Sequence, residues 1–266
     1  MKKKNVIVVT GASSGMGREF LKQIEIKEKV DEIWAIARRS DRLEELKEFV
    51  KTPIKALSLD LSKEEDLIKY KKELEKEEVN VVVLGNCAGF GKFDHSMNID
   101  TDIKLNMIDL NVKSVVSIID FTLPYMKKGS KIMNIASCSA FQPVPYINTY
   151  AATKSFLLSY SRALNAELKF RGIHVLAVCP FWTKTEFFDR AISKNKKEVV
   201  IHYSVMYDAS KVMKKAIKDL YNNKKDISVY GFVNNAQMIL TKLLPHKIVM
   251  KVWMNQQKFD GSDKIR

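Results

Sequence analysis

Tyr150 and Lys154 stand four residues apart in a stretch that reads as helix. Ala151, Ala152, Ser155, Phe156, Leu157, Leu158 and Ala163 carry that helix on to about residue 171. Residues at i and i+4 share a helix face, so the phenol and the ammonium lie within reach of each other. An ammonium beside a phenol stabilises the phenolate and draws its pKa toward neutrality, which makes the pair a candidate proton donor and acceptor. The spacing alone is common by chance, but two further polar residues single it out. Ser137 closes the apolar run 131–136, at what would be the carboxyl edge of a strand, where ligands of doubly wound sheets bind. Asn111 lies on the apolar stripe of a helical stretch, 103–126, with Ile108 and Val115 as same-face neighbours. A buried amide there must find partners, either within the core or in a site.

A second group of residues has a different use. The apolar run 6–10 leads into Gly11-Ala12-Ser13-Ser14-Gly15-Met16-Gly17 and then into a helical stretch. Glycines in a strand-to-helix turn let the backbone approach a pyrophosphate, and the helix N-terminus offers free N–H groups and a positive dipole end. The next apolar run ends Ala35-Ile36-Ala37-Arg38-Arg39. A site for NAD places an acid there against the ribose 2′-hydroxyl. The acid is missing, and two guanidinium groups that match a 2′-phosphate stand in its place. The turn and the arginines together predict a dinucleotide site that prefers NADP(H), with NAD(H) as second choice.

These residues need a scaffold. Apolar runs at 6–10, 32–37, 54–59, 79–84, 131–135, 174–179 and 227–230 are rich in Val and Ile and nearly continuous in hydrophobicity, as strands covered on both faces are. Helical patterns lie between them. The stretch 61–78 reads as a helix with Ser62 as N-cap and Glu65 completing a capping box. The alternation predicts an α/β fold: a single Rossmann-like doubly wound parallel sheet of about seven strands, with helices on both faces and a C-terminal helical extension. No repeat or low-complexity linker divides the chain, so 1–266 reads as one dinucleotide-binding domain.

Composition excludes several function classes. A hydrophobic fraction of 46% in 266 residues suits a well-buried core. Three cysteines, Cys87, Cys138 and Cys179, form no paired framework and no metal-spaced pattern, which points to a reducing, cytoplasmic setting. The run 6–9 behind the basic start is too short for a signal-peptide core. No apolar run approaches the ~20 residues a spanning helix needs. The net charge is +14, but over 47–72 the lysines alternate with glutamates, the pattern of a solvated surface. No nucleic-acid-binding motif accompanies the charge.

The set Thr10-Gly11-x-x-x-Gly15-x-Gly17, Asn86-x-Ala88-Gly89, Asn111, Ser137 and Tyr150-x-x-x-Lys154 resembles the short-chain dehydrogenase/reductase family, in order and spacing, from about residue 5 to 190. The resemblance implies that Tyr150 is the catalytic acid in reduction and the base in oxidation. It implies that Lys154 lowers the Tyr150 pKa and bonds the nicotinamide ribose, that Ser137 holds the substrate oxygen, and that Asn111 supports a water relaying protons to Lys154. Gly11, Ser13, Ser14, Gly15, Met16 and Gly17 would hold the diphosphate side, and Asp60 and Leu61 the adenine. Asn86, Ala88 and Gly89 would pack against the adenosine ribose and the central strand. The reaction implied is NADP(H)-dependent interconversion of a ketone and a secondary alcohol, with no metal. A homodimer or homotetramer built on the 103–126 and 150–171 helices is implied as well. Two departures stand out: Cys87 replaces an asparagine, and Phe181 replaces the glycine of a Pro-Gly turn, restricting the backbone there. Thr183 and Thr185 still match positions that contact the carboxamide and diphosphate.

Beyond Glu186 the sequence has to speak for itself. Phe181, Trp182, Phe187, Phe188, Tyr203, Met206 and Tyr207 make 181–210 an aromatic loop or lid, suited to a bulky apolar substrate of steroid or fatty-acyl type. Ala236, Ile239, Leu240, Leu243 and Leu244 form a helical stripe, Pro245 interrupts it, and Ile248, Val249, Val252 and Trp253 follow. The segment 235–257 is therefore expected to be a helical extension, a hairpin near the mouth of the site. Two other readings compete: a cofactor-binding regulatory protein without turnover, and a membrane-surface member of the same fold using its basic C-terminal helices.

Overall fold

Val6 and Val8 of the first strand, β1 (Lys4–Thr10), enter one hydrophobic layer, and Ile7 and Val9 enter another; all four are fully buried. That two-residue alternation makes β1 the divider between the two halves of the core. The computed structural model describes residues 3–192, 199–203 and 205–258. In chain order the elements are β1 (Lys4–Thr10), α1 (Gly15–Lys27), β2 (Glu32–Ala37), α2 (Ser40–Glu44), β3 (Ile54–Ser58), α3 (Glu64–Lys76) and β4 (Val79–Asn86). Then come α4 (Thr101–Ile108), α5 (Ser114–Thr122), β5 (Lys131–Ile135), α6 (Asn148–Leu168), β6 (His174–Val178), β7 (Thr183–Lys184) and α7 (Phe187–Ala191). The chain closes with β8 (Tyr207–Asp208), α8 (Ala209–Leu220), β9 (Ile227–Ser228), α9 (Phe232–Leu243) and α10 (His246–Gln256).

Seven strands form one parallel sheet in the order β3-β2-β1-β4-β5-β6-β9, and β7 pairs with β8 apart from it. The strand order reverses direction between β1 and β4, which opens a crevice at their carboxyl ends. One face of the sheet is covered by Leu67, Tyr70 and Leu74 of α3, Ile118 of α5, and Leu157 and Leu164 of α6. The other is covered by Phe20, Leu21 and Ile24 of α1 with Met213, Ile217 and Leu220 of α8. The predicted doubly wound sheet with a C-terminal helical extension is the fold observed.

Local expectations fail in two places. The third helix starts at Glu64, not 61, and has no side-chain cap. Asp60 Oδ1 instead accepts both the Ser62 hydroxyl at 2.8 Å and the Ser62 amide at 3.2 Å, so the turn closed by Asp60 takes the amide that Glu65 would have bound in a capping box. The 103–126 stretch is not one regular helix either. Between α4 and α5, residues Asp109–Lys113 form a π turn. The wider turn rotates Ile108 into solvent and leaves Met107 and Val115 buried beside Asn111. Single π turns of this kind gather at functional sites.

Candidate active site

The carboxyl ends of β1, β4, β5 and β6 carry the predicted residues. Thr10, the last residue of β1, accepts the Cys87 and Ala88 amides on its Oγ1, both at 3.1 Å, and so ties the glycine turn to the end of β4. Gly11 (φ +67°) and Gly15 (φ +50°) adopt left-handed conformations that favour glycine. A Cβ on Gly11 would meet the Ala88 amide nitrogen at 2.7 Å, and one on Gly17 would meet the Gly11 carbonyl oxygen at 2.2 Å. The turn therefore leaves bare backbone at the N-terminus of α1. The Gly15 amide donates to Glu186 Oε2 at 3.0 Å, so this N-terminus already holds a carboxylate. An anion seat in a glycine cradle fits the diphosphate of a dinucleotide.

Around the turn, Arg39 Nη2 donates to Ser13 Oγ at 3.4 Å, and Arg38 lies 4.0 Å from Asp60. Ser14 caps α1 by backbone alone. Leu61 is buried, whereas Met16 and Thr185 border both the turn and the adjoining cavity. Thr183 Oγ1 donates to the Phe181 carbonyl at 2.9 Å. Phe181 takes up its place without a positive φ, so the loss of glycine there is absorbed without left-handed strain.

Tyr150, Ser137 and Lys154 come together as predicted. Ser137, at the edge beyond β5, hydrogen-bonds the Tyr150 phenol and accepts the Ser139 amide at 3.1 Å. Lys154 sits one turn along α6, with Nζ 5.6 Å from the Tyr150 ring centroid, and donates to the Ile135 carbonyl at 2.7 Å. Burial pushes the phenol up to about 12, against the Ser137 hydrogen bond that lowers it. Burial likewise brings the Lys154 ammonium down to about 8. Burial thus outweighs the Ser137 hydrogen bond, and the phenol keeps its proton near neutral pH.

Asn111 is fully buried in the π turn. Its Nδ2 donates to the Phe90 carbonyl (2.9 Å) and to Thr153 Oγ1 (3.1 Å), and its Oδ1 accepts the Phe90 amide (3.1 Å). A Cβ on Gly89 would come within 3.0 Å of Asn111 Oδ1 and 3.4 Å of Lys154 Nζ, so a side chain there would crowd both groups. Asn86 Nδ2 donates to Asn134 Oδ1 at 2.8 Å, and Asn134 donates on to Ser161 of α6, a polar thread through the sheet.

Several site residues escaped the sequence. Glu186 reaches Gly15 across 171 positions, and its other oxygen lies 3.6 Å from Arg42. No local pattern announces such a contact. Gly91 has no room for a Cβ between Phe187 (2.8 Å) and Tyr150 (3.0 Å). Arg190 stacks its guanidinium 3.6 Å over the Phe90 ring. The Tyr150 ring opens on a cavity of about 630 Å³ walled by Phe93, Trp182, Phe187, Leu240 and Trp253 among others. The rings of Trp182 and Trp253 lie 6.4 Å apart, and Trp253 Nε1 donates to the Pro145 carbonyl at 3.1 Å, so α10 closes one side. Residues 193–198 and 204 of the predicted lid lie outside the described residues. Among the described residues, no helix is long and apolar enough to cross a membrane.

The description "short chain dehydrogenase" belongs to the family model that matches residues 5–197. This chain is a member of the short-chain dehydrogenase family, and hence an oxidoreductase. Among its relatives is very-long-chain 3-oxoacyl-CoA reductase-B of Danio rerio, 30% identical over 259 residues, which cover 94% of this chain and 80% of that one. A short-chain dehydrogenase from Sphingobium yanoikuyae in complex with NADPH shares the fold with a TM-score of 0.74, 21% identity and 98% of each chain covered. A 3-ketoacyl-(acyl-carrier-protein) reductase from Brucella melitensis complexed with NADH aligns with a TM-score of 0.71 and 21% identity, over 85% of this chain and 95% of that one.

Proposed function

We propose that this chain is an NADP(H)-dependent reductase that converts a ketone on a long apolar chain, of the 3-oxoacyl thioester type, to a secondary alcohol. The observation that carries the reading is the Tyr150 phenol, hydrogen-bonded to Ser137, opening on a cavity walled by aromatic and aliphatic side chains. When bound, the nicotinamide supplies the hydride. Gly11, Ser13, Ser14, Gly15, Met16 and Gly17 line the diphosphate side, with Ala88, Gly89, Asp60, Leu61, Thr183 and Thr185 along the rest of the crevice. Arg38 and Arg39 meet a 2′-phosphate. Ser137 holds the substrate oxygen, and Tyr150 gives it a proton as charge develops there. Lys154 and Asn111 complete the proton path behind Tyr150. The relative's name supports the acyl substrate, and the shape of the cavity supports its bulk.

A phenol near 12 holds its proton at neutral pH, which suits the reductive direction. The three free thiols fit the cytoplasm. Leu105, Ile108 and Phe156, exposed on α4 and α6, suit a contact between copies in a homodimer or homotetramer. The test is carbonyl-dependent NADPH oxidation over a series of 3-oxoacyl thioesters of rising chain length. Each buried methylene contributes about 0.8 kcal/mol, so kcat/KM should rise roughly fourfold per methylene until the cavity is filled. A flat series would remove the apolar-chain substrate.

A further inference from the structure

Helix α9 is built inside out for a helix lying in water. The polar Asn234 and Thr241 of α9 are buried. Each side chain bonds the nearby backbone, Asn234 Nδ2 to the Tyr230 carbonyl and Thr241 Oγ1 to that of Met238. The apolar residues of the same helix face outward: Phe232 is 88% exposed and Leu243 75%, with Ile239 beside them. On α10, Ile248 and Val252 are exposed too. Val233, Leu240 and Val252 are exposed and also line the cavity, so the apolar surface of the hairpin reaches the wall of the pocket.

The charge on this segment is as one-sided as its hydrophobicity. From residue 227 to 258 there is no Asp or Glu, in a chain that holds 31 acids, and four lysines: Lys242, Lys247, Lys251 and Lys258. All four are exposed. Apolar residues flanked by lysines, with a tryptophan behind them, have the chemistry of an interfacial helix on an anionic lipid surface. A second copy of this chain is the poorer occupant. It would bring the same lysines with no carboxylate to meet them, and like charges facing each other across an interface repel.

We propose that the α9–α10 face docks on an anionic bilayer, laying Phe232, Ile239, Leu243 and Ile248 into the headgroup–acyl boundary, with the lysines on the lipid phosphates and carboxylates. The mouth of the cavity then opens toward the acyl chains, and an apolar substrate enters from the bilayer rather than through water. That delivery rests on the substrate reading above; the docking does not, and its test needs no turnover. The full chain is co-sedimented with phosphatidylcholine vesicles, with and without phosphatidylserine. Binding is expected only to the anionic vesicles, and it should weaken with salt. The triple variant Lys242→Gln, Lys247→Gln, Lys251→Gln should bind on the order of a hundredfold more weakly, at about 1 kcal/mol per lysine. Lys63→Gln, Lys72→Gln, Lys76→Gln, with the same change in net charge elsewhere, should bind as the wild type does. Phe232→Ser, Leu243→Ser, Ile248→Ser should lose binding while keeping its melting temperature, because these side chains are exposed. Three results overturn the proposal: no sedimentation with anionic vesicles, equal weakening by the two lysine triples, or a serine triple that breaks a dimer in light scattering yet still binds vesicles.

Discussion

At the scale of residues, the site is a set of buried polar groups whose costs are visible. Lys154 keeps its Nζ in a nearly inaccessible place with one carbonyl as acceptor, and burial brings it from 10.5 down to about 8. The folded pKa lies below the unfolded one, so the folded state prefers the neutral amine. The charged form therefore costs stability at every pH below about 8, and that cost disappears as pH rises from about 8 to 10.5. The gap corresponds to a burden on the order of 3 kcal/mol. Lys154→Met removes it, offset by about 1–3 kcal/mol for the carbonyl of Ile135 left without a donor. The variant is predicted to melt up to a few degrees above the wild type at pH 7, with a margin that shrinks toward pH 10, while activity is lost. Thermal melts over that pH range decide it; a lower melting temperature at pH 7 would contradict this account of Lys154. In the sequence, Tyr150, Lys154 and Ser137 were legible because their types and spacing carry the chemistry directly. The direction of the Tyr150 shift was not, since it depends on the burial of the ring and on where Nζ points.

At the scale of elements, continuous Val and Ile runs made the strands readable, because strands covered on both faces need no alternation. The capping box of α3 failed because Asp60 accepts both the Ser62 amide and the Ser62 hydroxyl, and sequence spacing does not tell which acid wins. The π turn around Asn111 was hidden for a similar reason: one extra residue in a helical turn leaves the hydrophobic count almost unchanged while moving Ile108 outward. Asn86 matched a motif, yet its side chain serves Asn134 and the sheet. The turn after β2 makes a sharper claim. Arg38 and Arg39 stand where an acid would favour NAD, and Asp60 faces Arg38 at 4.0 Å. The double variant Arg38→Asp, Arg39→Asp removes two partners of a 2′-phosphate and adds two charges that repel it. The ratio of kcat/KM for NADPH over NADH should fall by at least about tenfold, since a charge-assisted hydrogen bond is worth roughly 1.5–3 kcal/mol. An unchanged ratio would take the arginines out of cofactor choice.

At the scale of the whole molecule, apolar side chains stand exposed on two separate sets of elements. One is the hairpin α9–α10. The other is α4 with α6, which expose Leu105, Ile108 and Phe156, the last stacked 5.7 Å from Tyr160. Helices that expose such a patch in a symmetric assembly meet their own copies across a twofold axis. The chain is predicted to run as a dimer or tetramer in light scattering, and Phe156→Arg to shift it to monomer without loss of fold. A monomeric wild type at assay concentration would refute this. The sequence held the hairpin's helices and stripe, but not which way the stripe faces, because outward and inward faces have the same period.

Carbonyl-dependent NADPH oxidation by wild type and Tyr150→Phe, measured side by side with NADPH affinity, tests the central claim most directly. The phenol is placed as the proton donor to the substrate oxygen, and a general acid contributes about 100- to 10,000-fold. The account predicts a loss of that size in kcat, with NADPH affinity close to that of the wild type. A Tyr150→Phe enzyme that turns over its carbonyl substrate at the wild-type rate would contradict it.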